Sequence, residues 1–275
     1  MIQTFDFPTH FSFQMDLDPS FPADNQFITQ GIGYEPEITH LLLRVLKPGD
    51  RVADVGANVG YFTMMMASLV GRTGHVMAFE PGAANSTKLI HNRQLNGFAQ
   101  VDVTPQPAWS REEKVTFYLS ADDSGGNALW DPGIWPDNPK SREKIDKREL
   151  DATTLDAVIG EKKLRLIKLD IEGAEQHALE GADYLMSYYA PAYIVCELNP
   201  FALEQMGSSQ AFLRTLMIHY GYSTFLLYRN GQMPKLIPPG TTIFPAHITN
   251  ILFSSPGAVS DAWPEEIMDE RLNAR

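Results

Sequence analysis

The sequence contains a single cysteine, Cys196. An intrachain disulfide and a cysteine-rich metal site are thereby excluded, and a reducing, cytoplasmic setting is expected. Cys196 stands in an apolar run and reads as an inert core residue. No uninterrupted apolar stretch reaches the roughly 20 residues that span a bilayer, so membrane insertion is not expected. The opening MIQTFDFPTH lacks a basic segment followed by an apolar one, and no secretory signal is read from it. Basic residues are scarce: 22 Lys and Arg stand against 34 Asp and Glu, a net charge of -12. Nucleic acid is therefore not the expected partner, because phosphate binding needs a basic footprint. The one local exception, Lys140, Arg142, Lys144, Lys147 and Arg148, is interleaved with Glu143, Asp146 and Glu149 and reads as a solvated helix face. His10, His40, His75, His91, His177, His219 and His247 show no ligand spacing, and G-x-S-x-G is absent.

What is present begins with RVADVGANVGYFTMMMASLVGRTGHVMAFEP, residues 51–81. Val52, Ala53 and Val55 make a short buried strand that carries Asp54, and Gly56, Asn58 and Gly60 form a turn. Tyr61 to Leu69 has no helix breaker and follows as a helix. Gly71 and Gly74 stop it, and His75 to Phe79 is a second apolar strand closed by Glu80. The turn and this acid meet at the carboxyl ends of adjacent parallel strands, where such sheets bind ligands. A dinucleotide site has G-x-G-x-x-G built to receive a pyrophosphate. Here D-V-G-A-N-V-G places an acid before the turn, which repels a phosphate and attracts an ammonium. S-adenosylmethionine carries an ammonium and a ribose diol but no phosphate, and it is the cofactor the spacing and charge favour. A dinucleotide, or a turn that binds nothing, is the alternative.

The rest of the chain fits one large domain with additions. Residues 1–34 form an extension or lid rich in aromatics and proline, with Phe5, Phe7, Phe11, Phe13, Phe21 and Phe27. Residues 35–255 form the main domain, and 256–275 a tail. A helix is expected over 35–46, with Pro36 at its first turn, and another over 85–95. Val101 to Ala108 is a third strand made irregular by Pro105 and Pro107, and Glu113 to Leu119 a hairpin strand. Residues 122–148 read as a loop insertion whose Trp130 and Trp135 pack on the domain or line a channel. Leu166 to Leu169 is a fourth strand ending in Asp170-Ile171-Glu172-Gly173, and a helix follows from Ala174. Tyr193 to Leu198 is a fifth, ending in Glu197-Leu198-Asn199-Pro200. After a helix over 210–220, Thr224 to Tyr228 and Thr249 to Phe253 supply a final antiparallel pair. The sum is an α/β fold: a seven-stranded, mostly parallel sheet with helices on both faces.

The pieces YEPEITHLLLRVLKPGDRVADVGANVGYFT, GHVMAFEP, TTLD, LIKLDIEGAEQHALEGA and IVCELNP, over roughly residues 31–200, resemble the FkbM family of methyltransferases. The resemblance implies a class I, Rossmann-like, S-adenosylmethionine-dependent fold with a terminal antiparallel strand. It implies methyl transfer to oxygen on a hydroxylated small molecule, sugar or natural product, with S-adenosylhomocysteine as product. By motif, Asp54 and Gly56 line the methionine moiety, Asn58 and Gly60 shape the same wall, and Tyr61 or Thr63 meets the carboxylate side. Glu80 accepts from the ribose hydroxyls, Pro81 and Ala83 lie near the adenine, Asp102 receives its amino group, and Ala108, Trp109 and Ser110 cover it. Asp170 positions the cofactor amine or acts as general base, with Glu172 and Glu197 as further catalytic candidates and Asn199 beside them. Asp170, Glu172 and Glu197 could hold Mg²⁺. The sulfonium supplies its own leaving group, so no metal is expected to be required. The segment around Asn127, Trp130 and Trp135 is expected to border the acceptor rather than the adenine. His177 is expected to point away from the ligand. Transfer to nitrogen, or a non-catalytic cofactor-binding assembly module, are the rival functions. A homo-oligomer is left open.

Overall fold

The computed structural model describes residues 1–8, 11–20, 22–120, 124–134, 146–243 and 248–265. An N-terminal hairpin, β1 (Ile2–Phe7) and β2 (Phe11–Asp16), is followed by α1 (Pro22–Gln30) and α2 (Pro36–Val45). Then come β3 (Arg51–Val55), α3 (Tyr61–Val70), β4 (His75–Phe79), α4 (Ala83–Leu95) and β5 (Val101–Thr104). A second hairpin, β6 (Lys114–Leu119) and β7 (Asp146–Asp151), leads to α5 (Leu155–Ile159), β8 (Leu166–Leu169), α6 (Glu175–Glu180) and α7 (Asp183–Tyr188). The chain continues through β9 (Tyr193–Leu198), α8 (Pro200–Gln205), α9 (Gln210–His219), β10 (Ser223–Leu226), β11 (Lys235–Ile237), β12 (Thr249–Ser254) and α10 (Pro256–Ala262).

The main sheet has the order β11-β10-β12-β9-β8-β3-β4-β5. β5, β4, β3, β8 and β9 are parallel, and β12 runs antiparallel between β9 and β10. The sheet therefore has eight strands, not seven. The additional one, β11, pairs antiparallel with the edge of β10 over three residues. The third strand stops at Thr104, because Pro105 cannot donate to a ladder. Lys147 and Arg148 lie in β7, so the expected helix face is here a strand, and Arg148 pairs with Asp146 at 2.7 Å. Lys140, Arg142 and Lys144 lie outside the described residues.

Alternate residues of the central strands feed two apolar layers. Val52, Val76, Leu166 and Val195 face α2, α3 and the N-terminal hairpin. Ala53, Met77, Ile167 and Ile194 face α5, α6, α7 and α9. Cys196 belongs to the second layer, where burial pushes its thiol well up. α3 is apolar nearly all round because it is sandwiched between the sheet and the hairpin. The extension is thus a packed hairpin. Phe5 and Phe13 stack at 5.1 Å and both meet the Tyr61 ring edge-on, at 5.3 and 5.6 Å. Phe27 stacks on the same ring at 5.1 Å. The outer edge of β2 is covered by α4. Asn96 both accepts from Gln14 N and donates to Gln14 O, each at 2.7 Å, as a neighbouring strand would. Asn92 Oδ1 accepts from Asp16 N at 2.8 Å.

One charge lies inside this apolar frame. Lys168 is 2% exposed at the centre of β8. Its Nζ sits 2.9 Å from Asp170 Oδ2, 3.9 Å from Asp54 Oδ1 and 5.3 Å from the Phe62 ring centroid. Burial disfavours the ammonium, but attraction to Asp170, Asp54 and Glu35 outweighs it, and the net effect holds the charge on more firmly than in water.

Two outcomes follow for urea denaturation. Tyr61→Ala should cost about 3–5 kcal/mol, the range for losing a buried aromatic; a loss under ~1 kcal/mol would show that the hairpin does not depend on this ring. Lys168→Met should also cost about 3–5 kcal/mol, since it strands Asp54 and Asp170 without their buried partner. An unchanged midpoint would mean that the ammonium contributes no net stability.

Candidate active site

A cavity of about 370 Å³ opens at the carboxyl ends of β3, β4, β8 and β9. Its floor is the turn after β3. Gly56 has φ +87°, and a Cβ there would lie 1.8 Å from the Asp170 carbonyl oxygen, so no other residue fits without parting β3 from β8. The amides of Gly56 and Ala57 both donate to Phe79 O at 3.0 Å, tying the turn to β4.

Glu80 closes β4 on the cavity wall. Its Oε2 accepts from Asn58 N at 2.9 Å, and its Oε1 from Gly82 N at 2.8 Å and Asn85 Nδ2 at 3.4 Å. Burial pushes its carboxyl up to about 7 even against these donors. Pro81, Pro107 and Ala108 continue the wall, as do Phe117 and residues 125–129. Asn127 approaches Glu80: a Cβ on Gly82 would lie 2.7 Å from Glu80 Oε1 and 3.1 Å from Asn127 Nδ2.

Gln26, Tyr34, Glu35, Asp170, Ile171, Glu172 and Glu197 also line the cavity. The Asp170-Ile171-Glu172-Gly173 loop is shaped from behind by Glu175, whose Oε1 accepts from Ile171 N at 3.0 Å and Gly173 N at 3.1 Å. Gly173 packs so closely on α8 that a Cβ would meet Ala202 backbone at 2.4 Å. Asn199 caps α8 through Ala202 N and also donates to Glu172 Oε2 at 3.4 Å. Asp170, Glu172 and Glu197 each bring one oxygen within 4.8 Å of the others. They are the described residues that could share a divalent cation. Glu197 is raised well above the carboxylate range, by burial first and then by Asp170, Glu172, Glu175 and Glu35.

Not every residue expected at the site reaches it. Asp54 is fully buried beneath the turn, accepting from Thr63 Oγ1 at 2.5 Å, and neither of the two lines the cavity. Gly60, with φ +98°, begins α3 against Leu89 and is likewise off the wall. Asp102 is a correction: its side chain is 69% exposed on the edge strand β5, where it pairs with His75 at 3.1 Å, and it does not line the cavity. Trp109 is another. Its indole donates to Glu113 Oε1 at 2.8 Å, and its ring lies 4.2 Å from His177, so Pro107 and Ala108 cover the wall in its place. His177 does point away, with Nε2 at 3.0 Å from Met206 O. Asn127 lines the cavity beside Glu80. Trp130 packs on Phe201 and donates to Glu172 O at 2.7 Å, and is itself off the cavity wall. Trp135 and Phe21 lie outside the described residues. Phe27 is core, whereas Tyr34 lines the cavity.

Two residues that shape the site are not singled out by the sequence reading, Glu35 and Lys168. Glu35 reads only as the start of a helix. Lys168 had a signal, a lone charge in the otherwise apolar run Leu166–Leu169.

The donor set suits the cofactor expected from the turn. Five carboxyls, Glu35, Glu80, Asp170, Glu172 and Glu197, line the cavity, and no Lys, Arg or His lines it among the described residues. Such a wall accepts a diol and an ammonium and repels a pyrophosphate. The model of the FkbM methyltransferase domain matches residues 54–224. Methyltransferase 1 of Beauveria bassiana (strain ARSEF 2860) is 28% identical over 149 residues, which are 48% of this chain and 58% of that protein, so the chain spans less than two thirds of this relative. Among solved structures, a SAM-dependent methyltransferase from Aquifex aeolicus matches at 14% identity, covering 86% of this chain and 98% of its own, with a TM-score of 0.44. A SAM-dependent O-methyltransferase from Thermotoga maritima matches at 13% identity, covering 81% and 65%, with a TM-score of 0.41. With the domain match spanning more than half its length, the chain belongs to the FkbM methyltransferase family.

Proposed function

We propose that the enzyme methylates a hydroxyl oxygen of a small molecule, sugar or natural product. The observation that carries this reading is the set of carboxyls, Glu35, Asp170, Glu172 and Glu197, that line one cavity with Glu80 and offer several proton-accepting and hydroxyl-orienting groups. S-adenosylmethionine supplies an electrophilic methyl on a positively charged sulfur. Glu80 accepts from the ribose diol, using lone pairs left free by Asn58, Gly82 and Asn85. Gly56, Asn58 and Pro81 shape the cofactor side, and Pro107 and Ala108 take the adenine face. Asp54 and Thr63 act from beneath, fixing the turn. Asp170, held in place by Lys168, orients the cofactor amine. Glu172 and Glu197 form the acceptor wall, with Glu197 in its protonated form donating to an acceptor oxygen. None of these roles needs a metal. The buried, unreactive Cys196 suits a cytoplasmic setting, and no described helix is long and apolar enough to cross a membrane.

Product analysis tests the reading. Labelled methyl from the cofactor, offered to a metabolite extract, should appear in base-stable methyl ethers. Label on nitrogen would replace the hydroxyl assignment, and tight cofactor binding with no transfer to any compound would favour a binding module. For the cofactor wall, Glu80→Ala should weaken S-adenosylhomocysteine binding by about 1–3 kcal/mol in calorimetry. An unchanged dissociation constant in the folded variant would remove Glu80 from that role.

A further inference from the structure

Three described non-glycine residues have left-handed backbone: Glu35 at φ 38°, Asn58 at φ 50° and Glu172 at φ 52°. All three line the same cavity. Such conformations are costly for residues with a Cβ, and persist where the surroundings hold a side chain in a working position. Asn is the residue best suited to this region, so its case is mild. Glu35 is the least expected of the three, because it precedes Pro36, and a residue before proline is normally driven to extended backbone. A β-region cap at this point would start α2 without the strain, so the local sequence does not explain the conformation.

The strained turn places the Glu35 carboxyl on the cavity wall beside Tyr34, which hydrogen-bonds to it. Its Oε2 is closed off from solvent and has no hydrogen-bond partner. The other wall carboxyls are otherwise engaged. Asp170 is paired with Lys168 at 2.9 Å, Glu172 accepts from Asn199, and burial and its acidic neighbours push the Glu197 carboxyl well up. We propose that Glu35 is the general base, taking the proton of the acceptor hydroxyl during methyl transfer.

This rests on the acceptor being a hydroxyl. As the acceptor oxygen forms its bond to the methyl carbon, the O–H bond breaks and the proton passes to the Glu35 carboxylate. The carbon–sulfur bonding pair stays on sulfur, which leaves as a neutral thioether, and the protonated Glu35 later releases its proton to water. The groups facing Glu35 set its titration. Burial raises its carboxyl to about 7, Asp170 and Glu37 add to the rise, and Lys168 and the Tyr34 hydrogen bond oppose it. Glu197 from β9 and Tyr61 from α3 also feel its charge. Glu37 in turn lies 3.9 Å from Arg229 and accepts from Asn250 Nδ2 at 3.2 Å. A base titrating near neutrality combines an ionised fraction with a useful proton affinity.

The test uses the full chain and its Glu35→Gln and Glu35→Asp variants. The first readout needs no acceptor: carboxyl-labelled glutamate is titrated by NMR with S-adenosylhomocysteine bound. One carboxyl resonance titrating near pH 7 should vanish in Glu35→Gln. The second is single-turnover transfer from methyl-tritiated S-adenosylmethionine to an aqueous metabolite extract at saturating cofactor. The wild-type rate should rise with pH through the Glu35 titration. Glu35→Gln should slow it about 10²–10⁴-fold and flatten the profile, with S-adenosylhomocysteine affinity changed less than about threefold. Glu35→Asp, which keeps a carboxylate, should recover part of the rate. Wild-type turnover in Glu35→Gln, a fall in affinity that matches the fall in rate, or a Glu35 carboxyl titrating near the ordinary 4.3 would each overturn the proposal. Label recovered only on nitrogen, or on nothing, would instead bring down the hydroxyl reading and the base with it, while the NMR titration would still report whether Glu35 is poised.

Discussion

The Lys168 ammonium is the interaction on which the site's geometry depends. β3 and β8 lie side by side, and each brings a carboxylate, Asp54 and Asp170, to the same buried point. Two carboxylates there would repel one another in a medium that screens poorly. The ammonium turns that repulsion into a clamp, and the Asp170 backbone can then approach Gly56 closely enough that only glycine fits. Floor and wall of the cavity are therefore set together by one residue that does not itself line it.

Burial also governs the chemistry of the acids. Glu80 and Glu175 are pushed up to about 7 by desolvation although each accepts backbone hydrogen bonds, which shows how far loss of water exceeds two or three donors here. Glu175 spends its charge on shaping a loop, whereas Glu80 faces the cavity. The same physical cause serves structure on one side of the sheet end and recognition on the other.

The central strands were legible because each is a short apolar run bounded by turn residues. Leu166–Leu169, Tyr193–Leu198 and His75–Phe79 have the ends the pattern predicts. Gly56 and Glu80 were legible for the same reason: each directly follows such a run. What escaped was non-local. The partner of Phe5 and Phe13 is Tyr61, and nothing near residue 5 encodes it. β11 is three residues long and exists only because β10 offers a free edge. Asp102 and Trp109 were misplaced because the pleat and the loop after Pro107 decide their direction, not their distance from the strand end. Trp130 read equally as a packing or a channel aromatic, and its N–H finds its acceptor in the distant Glu172 carbonyl. The conformation of Glu35 contradicts its local sequence, so only the folded chain reveals it.

The asparagines that cover β2 impose an order of events during synthesis. Gln14 waits for Asn96, 82 residues further along. At typical elongation rates of 5–20 residues per second the hairpin spends about 4–16 s without the helix that seals its edge. Through that interval its phenylalanines and an open strand are exposed, and Tyr61, their common contact, arrives only partway through it.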